Sequence, residues 1–144
     1  MKRREFVQVA TLGSVASVVA PQWAVADDAA LPELIGAGGL FYTKENPGRW
    51  EKKVGGHLPN LTVESKADGK VTLKVETDHV MSAYKHYIVK HTLLDDKLQF
   101  LDEHLFNPET EEEPISTHTL EYTGTIYVVS HCNKHDAWLN VFEV

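Results

Sequence analysis

Residues 61–75, LTVESKADGKVTLKV, decide the fold class of this chain. Apolar and polar residues alternate in residues 61–63 and again in residues 71–75, on either side of Ala67-Asp68-Gly69-Lys70. A period of two is that of a strand with one buried face, and Asp-Gly between two such runs is typical of a tight turn. The stretch therefore predicts two neighbouring strands of an antiparallel sheet.

The same β pattern extends outward from this hairpin, and from Asn46 onward no convincing amphipathic helix is present. Further β-rich runs cover residues 84–93, 97–106, 115–122, 125–131 and 137–143. Residues 107–113 form a polar, acidic loop that we expect to face solvent. About seven short strands predict an all-β protein, an immunoglobulin-like antiparallel β-sandwich.

The first 26 residues have the layout of an export signal. Residues 2–4 are Lys-Arg-Arg, residues 6–20 are mostly apolar, and Ala24-Val25-Ala26 supplies the small residues that signal peptidase accepts. The paired arginines followed by Glu-Phe are typical of a twin-arginine signal. Because the apolar run is about 15 residues and a membrane-spanning helix needs ~20, we expect cleavage and a periplasmic location.

The remainder of the chain is long enough for a single domain. Residues 27–45 have no firm periodicity and predict an N-terminal arm, and residues 46–144 form the domain. The full chain has a formal net charge of -7, which becomes -9 without the signal because three cations and one anion leave with it. Such an acidic protein is a poor partner for nucleic acid or for anionic lipid. We therefore expect no nucleic-acid binding and, after signal cleavage, no membrane attachment.

The single cysteine lies in the densest group of potential metal ligands. Cys132 cannot form an intrachain disulfide, and an exposed free thiol would be a liability in an oxidising compartment. Cys132 and His135 are three residues apart across a predicted turn, a spacing that lets a thiolate and an imidazole reach one ion. Strand alternation points Cys132 towards the core and His131 away from it. A buried, inert cysteine is the alternative.

Other histidines lie where strands begin and end. His57 follows two glycines that permit close approach of the backbone, His79 ends one predicted strand, and His86 begins the next. In a regular strand His91 faces the side opposite to His86, so both reach one centre only if a bulge intervenes. Hydrogen-bonded or exposed structural roles are expected for the mid-strand histidines, His104 and His118.

Taken in order, these residues resemble the iron domain of the superoxide reductases, the neelaredoxins and desulfoferrodoxins. The likeness runs from about residue 46 to residue 144. It is carried by His57-Leu58-Pro59, His79, His86-Tyr87-Ile88 and Cys132-Asn133-Lys134-His135 with Trp138. The resemblance implies an immunoglobulin-like barrel that holds one mononuclear iron. The ligands it implies are four equatorial imidazoles and one axial thiolate, from His57, His79, His86, His135 and Cys132.

The resemblance also implies an enzyme that reduces superoxide by one electron to hydrogen peroxide. Four neutral imidazoles and a thiolate leave a ferrous ion with a net charge of about +1 and a vacant position for an anion, whereas zinc prefers four tetrahedral ligands. A thiolate opposite that position pushes electron density onto the iron. Because the chain lacks the four-cysteine iron domain of some members, we expect a small electron-donor protein as its partner.

The chain departs from the usual family pattern in two places. Residues 55–56 are Gly-Gly where the family commonly has Glu-Lys, and that lysine is thought to attract superoxide. Lys53 is the closest substitute in sequence, and we expect it to supply the attracting charge. His86 follows His79 by seven positions where six is usual in the family, and Val80 stands where proline is common. Both histidines remain ligands if the loop absorbs the extra residue.

Two other classes compete with this interpretation. An exported cupredoxin-like electron-transfer or metal-binding protein would also be a β-sandwich with His and Cys near its C-terminal strand. Such sites usually add a methionine after the Cys and His, and the only methionines are Met1 and Met81. The third class is an interaction domain that binds metal incidentally. The sequence leaves open whether the chain forms a homo-oligomer.

Overall fold

Two antiparallel sheets make up the part of the chain that this computed structural model describes, residues 40–144. One sheet has the strand order β1-β2-β5 and the other β4-β3-β6-β7. The strands are β1 (Pro59–Ala67), β2 (Lys70–Thr77), β3 (Ile88–Leu94), β4 (Phe100–Leu105), β5 (Ile115–Leu120), β6 (Thr125–Cys132) and β7 (Asp136–Glu143). Short 3₁₀ segments cover Gly48–Gly56 and Ala83–Lys85. The prediction of an all-β sandwich is confirmed.

The β1–β2 hairpin forms as its sequence predicts. Asp68 and Gly69 have φ angles of 54° and 73°, the left-handed pair that a two-residue turn needs to match the twist of its strands. Beyond the turn, Val71, Leu73 and Val75 are at most 2% exposed. They pack against the core residues of the other strands, which are Leu93, Leu120, Ile126 and Val128. The period of two therefore marks the buried face correctly.

Two stretches predicted as β are not strands. Residues 46–58 contain the 3₁₀ segment Gly48–Gly56, and β3 begins at Ile88 rather than at residue 84. Before β3 the chain makes a compact loop, in which the Ser82 N–H donates to the His86 carbonyl at 2.8 Å. Ala83 has a φ of 44° there. The loop carries His79 near its start and His86 near its end.

A bulge interrupts β3. Its register with β6 shifts between Ile88 and Lys90, so that Ile88 and His91 are both fully buried on the inner face. A regular strand would have placed them on opposite faces, because three residues separate them. The bulge turns His91 into the core, where it lies apart from the metal-ligand candidates described below.

Most of the predicted N-terminal segments lie outside the described residues. This applies to the signal peptide, residues 1–26, and to the arm as far as residue 39. Tyr42, near the end of the predicted arm, pairs with β7: its N–H donates to the Ala137 carbonyl at 2.9 Å, and it accepts from the Leu139 N–H at 2.8 Å. Within residues 40–144, no helix is long and apolar enough to cross a bilayer.

Candidate metal centre

Five side chains from separate parts of the chain converge at one end of the sandwich. They lie at or near the ends of regular elements: His57 directly follows the first 3₁₀ segment, for example, and Cys132 is the last residue of β6. All five potential ligand atoms lie within 4.8 Å of one another. The group consists of His57, His79, His86, Cys132 and His135. The structure thus brings together every residue that the sequence proposes as a metal ligand.

The four imidazoles form a square. Around it, ring centroids of neighbours are separated by 4.6 Å for His57–His79, 4.5 Å for His79–His86, 4.9 Å for His86–His135 and 4.8 Å for His135–His57. Neighbouring rings are steeply inclined, by 73–89°. The His57–His86 pair lies across the centre at 6.4 Å, close to the diagonal of a square with these sides.

Distances between the facing nitrogens fit a planar set of four ligands around one ion. His135 Nδ1 lies 2.9 Å from His57 Nε2 and 3.2 Å from His86 Nε2, which in turn lies 3.2 Å from His79 Nε2. Nitrogens about 2.1 Å from an ion are roughly 3.0 Å apart at right angles and roughly 3.4 Å apart in a tetrahedron. The donor set therefore fits four equatorial nitrogens better than a tetrahedral zinc site.

The sulfur completes the donor set from one side. Cys132 Sγ lies 3.4 Å from His135 Nδ1 and 3.8 Å from His79 Nε2. It packs with two apolar residues, Ile88 and Phe106, and accepts the Lys134 backbone N–H at 3.4 Å. A backbone donor stabilises a thiolate, and apolar packing keeps solvent from it. Cys132 is thus the fifth candidate ligand, and the inert buried cysteine is the weaker interpretation.

Backbone carbonyls fix the tautomers of two imidazoles. His57 Nδ1 lies 2.8 Å from the Lys53 carbonyl and His79 Nδ1 lies 2.5 Å from the Val80 carbonyl. A carbonyl only accepts, so each Nδ1 carries the proton and each Nε2 turns its lone pair to the centre of the square. Metal-binding histidines usually donate their other N–H in this way. The rings are oriented for an ion by the protein itself.

Burial keeps these imidazoles neutral. It lowers the pKa of His57 to about 4, and it is also the main cause that lowers the pKa of His79 and of His135. For His86, burial and then the charges of Lys134 and Lys53 lower the pKa. Only a neutral imidazole has the lone pair that a metal needs. The cluster is therefore ready to bind a cation at neutral pH.

A clamp that the sequence does not reveal supports His135. The edge of Trp50 packs against the His135 ring with centroids 4.8 Å apart, and Trp50 Nε1 donates to Asp136 Oδ2 at 2.8 Å. Arg49 pairs with the same oxygen at 2.5 Å. Hydrogen bonds first from Arg49 and then from Trp50 hold the pKa of Asp136 below its usual range. Trp138 Nε1 also donates to the His135 carbonyl at 2.8 Å.

We expect Trp50→Ala to weaken metal binding about tenfold, at the lower end of the effect of removing an outer support of a metal ligand. Competition with a chromophoric chelator measures this. Trp50→Phe keeps an aromatic edge beside His135 but loses the hydrogen bond to Asp136, so its effect should be smaller. The matched control is Tyr84→Ala, which removes an exposed aromatic outside the cluster. Equal affinities for Trp50→Ala and wild type would show that the ring does not hold His135.

An open pocket borders the imidazole square. It contacts three of the four rings but not Cys132. Its charged rim consists of Lys52, Lys53 and Asp78. The positive charge of Lys53 also contributes, after burial, to lowering the pKa of His135. An anion entering this pocket would meet a lysine and the open face of the square.

The remaining histidines lie outside the centre. His104 Nε2 bonds Glu111 at 2.7 Å, and His131, on the outer side of β6, is partly buried. His91 and His118 are buried in the core. The expectation of structural, hydrogen-bonded roles agrees with the contacts of His104 and His118, and the bulge in β3 does not bring His91 to the centre.

The fold and the His/Cys cluster together define a β-sandwich protein with a candidate mononuclear metal site. A sequence model of the desulfoferrodoxin family matches residues 48–141, well over half of the chain. The chain therefore belongs to the desulfoferrodoxin family, and the resemblance noted in its sequence is confirmed. A search of curated protein sequences gives no match.

Solved structures of similar fold include superoxide reductases. The chain is 26% identical to a superoxide reductase (neelaredoxin) from Ignicoccus hospitalis, with a TM-score of 0.59 over 73% of this chain and 94% of that one. A reduced-form superoxide reductase (neelaredoxin) from Archaeoglobus fulgidus is 19% identical, with a TM-score of 0.56 over 73% and 98% of the two chains. At that lower identity the likeness shows the fold alone.

Proposed function

We propose that this protein is a superoxide reductase that holds one iron per chain and reduces superoxide to hydrogen peroxide. The observation that carries the proposal is the geometry of the centre: four imidazoles in a square, a thiol within reach of them, and an open pocket lined by three of the rings but not by the sulfur. Family membership and the superoxide reductase from Ignicoccus hospitalis support it.

The proposed iron ligands are the five residues of the cluster. When bound, iron would supply a one-electron reductant and a position that accepts an anion. Neutral imidazoles add no charge, so with the thiolate of Cys132 a ferrous centre keeps a net charge of about +1 that attracts superoxide. The thiolate of Cys132 would be the fifth ligand and would donate electron density to the iron.

The pocket side supplies access and protons. The reduction consumes one superoxide, one electron and two protons for each hydrogen peroxide. Within residues 40–144 no carboxyl side chain hydrogen-bonds a ring of the square, whereas the pocket is open to solvent, so we propose water as the proton source. The electron would come from a small electron-donor protein, as we expect from the sequence.

Product stoichiometry tests the proposal. Pre-reduced protein mixed with superoxide without oxygen should yield about one peroxide per superoxide, and no oxygen should form. A dismutase would yield one peroxide and one oxygen for every two superoxide ions. An exported electron-transfer protein of cupredoxin type would exchange electrons with redox dyes yet leave superoxide decay at its uncatalysed rate. Either of these results would overturn the assignment.

We further propose that Lys53 attracts superoxide, in place of the lysine that the family commonly has at the position of Gly56. A Cβ at Gly56 would lie only 3.3 Å from the Asp78 carbonyl oxygen, so a side chain fits poorly there. Lys53 is exposed and lines the pocket with three of the ligand rings. Because the Debye length is about 8 Å at ~0.15 M salt, a local lysine can act despite the acidic net charge of the protein.

Lys53→Ala should lower the second-order rate with superoxide several-fold at low salt and should flatten its dependence on ionic strength, because a steering charge is lost. Pulse radiolysis over an ionic-strength series measures both quantities. Lys97→Ala, an exposed lysine in the turn between β3 and β4, is the matched control and should change neither. An unchanged rate and salt slope for Lys53→Ala would show that Lys53 does no steering.

The N-terminal pattern supports a proposal of export to the periplasm by the twin-arginine route. Replacing Arg3 and Arg4 with lysines should block export, because the twin-arginine pathway reads that pair. The result expected is accumulation of the full-length form in the cytoplasm, measured by fractionation and intact mass. A mature periplasmic form that is unaffected by the replacement would argue for a different export route.

A further inference from the structure

A single amide side chain binds the backbone on both sides of the candidate ligand His86. It belongs to Asn133, an exposed residue in the turn between β6 and β7. Asn133 Oδ1 accepts the Tyr87 N–H at 3.0 Å. Its Nδ2 donates to the carbonyls of Tyr84 and Lys85, at 3.3 Å and 3.4 Å. One side chain thus holds the residues just before and just after His86.

The partners of the amide fix which of its ends is oxygen and which is nitrogen. A backbone N–H only donates and a backbone carbonyl only accepts. The atom that faces the Tyr87 N–H must therefore be the oxygen, and the atom that faces the two carbonyls must be the NH₂ group. With the two ends exchanged, none of the three contacts would join a donor to an acceptor. The direction of all three bonds follows from the positions of the heavy atoms.

The amide also takes the place of a strand residue where β6 leaves its sheet. The last cross-strand pair of β3 and β6 at this end is Ile88 with Cys132. One position further, Tyr87 and Asn133 still exchange two hydrogen bonds, as a hydrogen-bonded pair of an antiparallel ladder does. The Asn133 N–H donates to the Tyr87 carbonyl at 3.1 Å. The return bond, from the Tyr87 N–H, ends on the side-chain oxygen of Asn133 instead of a backbone carbonyl.

This exchange of acceptors lets the chain turn without releasing the neighbouring loop. Because the side chain completes the pair, the Asn133 backbone can turn away from β3. The Lys134 N–H then reaches Cys132 Sγ at 3.4 Å, and His135 Nδ1 comes to lie 3.2 Å from His86 Nε2. The same residue therefore permits the turn that carries His135 and keeps His86 beside it.

The other backbone hydrogen bonds of this loop are internal. The Ser82 N–H donates to the His86 carbonyl at 2.8 Å, and the Lys85 N–H donates to the Ser82 carbonyl at 3.2 Å. These bonds give the loop its shape but do not set its position relative to the β6–β7 turn. In the described part of the chain, the backbone of residues 83–86 is hydrogen-bonded to that turn only through Asn133.

The ring of His86 depends on its backbone more than the rings of the neighbouring ligands do. The Nδ1–H groups of His57 and His79 donate to backbone carbonyls, and Trp50 packs against His135. Among residues 40–144, the hydrogen-bond contacts of the His86 ring are those of Nε2 with other rings of the square. The position of this ring is therefore set mainly by the chain segment that carries it.

We propose that Asn133 is a positioning residue, whose amide holds the backbone around His86 and so keeps that imidazole at its corner of the square. Without the amide, the loop keeps its internal bonds but is no longer fixed to the turn that carries Cys132 and His135. The inference rests on the metal centre, and it does not depend on the reaction that the centre performs.

Binding of Co²⁺ to the full chain tests this role without superoxide. Asn133→Ala should bind Co²⁺ about tenfold more weakly than wild type, the loss typical of removing an outer support of a metal ligand. Competition with a chromophoric chelator measures it. The matched control is Asn107→Ala, which removes an exposed amide that accepts the Glu109 N–H in the β4–β5 loop and should leave the affinity unchanged. Equal affinities for Asn133→Ala and wild type would overturn the proposal.

The Co²⁺ spectrum reports which ligand is affected. If the His86 imidazole leaves, four ligands remain, and the d–d bands should gain intensity as the site moves towards a tetrahedron. The thiolate-to-cobalt band should persist, because Cys132 keeps its place at the end of β6. Loss of the thiolate band with unchanged d–d bands would overturn the proposal, because the amide would then act on the sulfur.

Asn133→Asp separates the hydrogen bonds of the amide from the space that it fills. Aspartate has nearly the same shape and can still accept the Tyr87 N–H, but its second oxygen cannot donate to the carbonyls of Tyr84 and Lys85. Because the added negative charge itself favours a cation, the spectrum rather than the affinity is decisive. The d–d bands should resemble those of Asn133→Ala. Wild-type d–d bands would show that the two donated bonds do not position His86.

A double-mutant cycle assigns the effect to His86. In His86→Ala the ligand is already absent, so adding Asn133→Ala should change the Co²⁺ affinity by no more than about twofold. A tenfold loss in both backgrounds would overturn the proposal, because the amide would then act without His86. A wild-type protein that gives no thiolate-to-cobalt band would overturn the metal centre and this inference together. Expected Co²⁺ results without superoxide consumption by the iron protein would overturn only the proposed reaction.

Discussion

Cys132→Ser should abolish the visible absorption band of the oxidised iron protein. Such a band arises from charge transfer between a thiolate and ferric iron, and Cys132 Sγ lies 3.4 Å from His135 Nδ1 and 3.8 Å from His79 Nε2. Serine has nearly the same shape, but its hydroxyl is a poor replacement for a soft thiolate ligand. Optical spectra of the oxidised protein and iron analysis, expected at about one iron per chain in wild type, measure the change.

Met81→Leu is the matched control for this prediction. Met81 packs against Ile88, Phe106 and Cys132, so it carries the other sulfur near the site, yet it does not belong to the group of potential ligands. Exchange of methionine for leucine conserves volume and should leave the band in place. If the band survived in Cys132→Ser and vanished in Met81→Leu, the thioether would be the ligand and the cupredoxin-like alternative would gain support.

Alanine substitutions should divide the histidines into two groups. His57→Ala, His86→Ala and His135→Ala each remove one corner of the square, so iron content and activity should fall strongly. We expect the affinity for iron to fall tenfold or more, at least the loss that follows when an outer support of a metal ligand is removed. The same is expected of His79→Ala, because its Nε2 lies 3.2 Å from His86 Nε2. Iron per folded chain and superoxide consumption measure the loss.

His104→Ala is the matched control, since His104 is partly exposed and bonds only Glu111 in the described structure. His91→Ala and His118→Ala should also retain iron far better than the ligand variants. They should, however, be less stable, because His91→Ala removes one hydrogen bond from each of two buried hydroxyls, those of Thr77 and Ser116, at about 0.5–1.5 kcal/mol each. Thermal unfolding separates the two effects. Loss of iron from His91→Ala, with iron retained in His79→Ala, would show that the ligand assignment around the β2–β3 loop is wrong.

The loop between His79 and His86 shows why spacing alone is an incomplete guide. His86 follows His79 by seven positions, where six is usual in the family. In the structure, the loop folds back through the Ser82–His86 bridge and a 3₁₀ turn, and the Nε2 atoms of the two histidines lie 3.2 Å apart. Loop geometry of this kind depends on contacts that local sequence patterns do not encode.

Support for the ligands was also invisible in the sequence. Trp50 and Asp136 are 86 residues apart, and each is unremarkable in its own segment. Only when the first 3₁₀ segment packs over the β6–β7 turn does the indole meet the His135 ring. The hydrogen bonds of the Asn133 amide are similar, because they join the β6–β7 turn to residues 46–49 positions earlier in the chain. Neither arrangement has a period along the chain.

The sequence by itself determined the all-β class, the buried face of the first hairpin and the residue types of the metal centre. These follow from local rules: a period of two, a turn dipeptide, and the preference of metals for imidazole and thiolate. Only the tertiary structure decided that four imidazoles form a square, that an open pocket borders three of them, and that a bulge turns His91 into the core. The reason is physical, since the packing of two twisted sheets sets the distances between residues far apart in the chain.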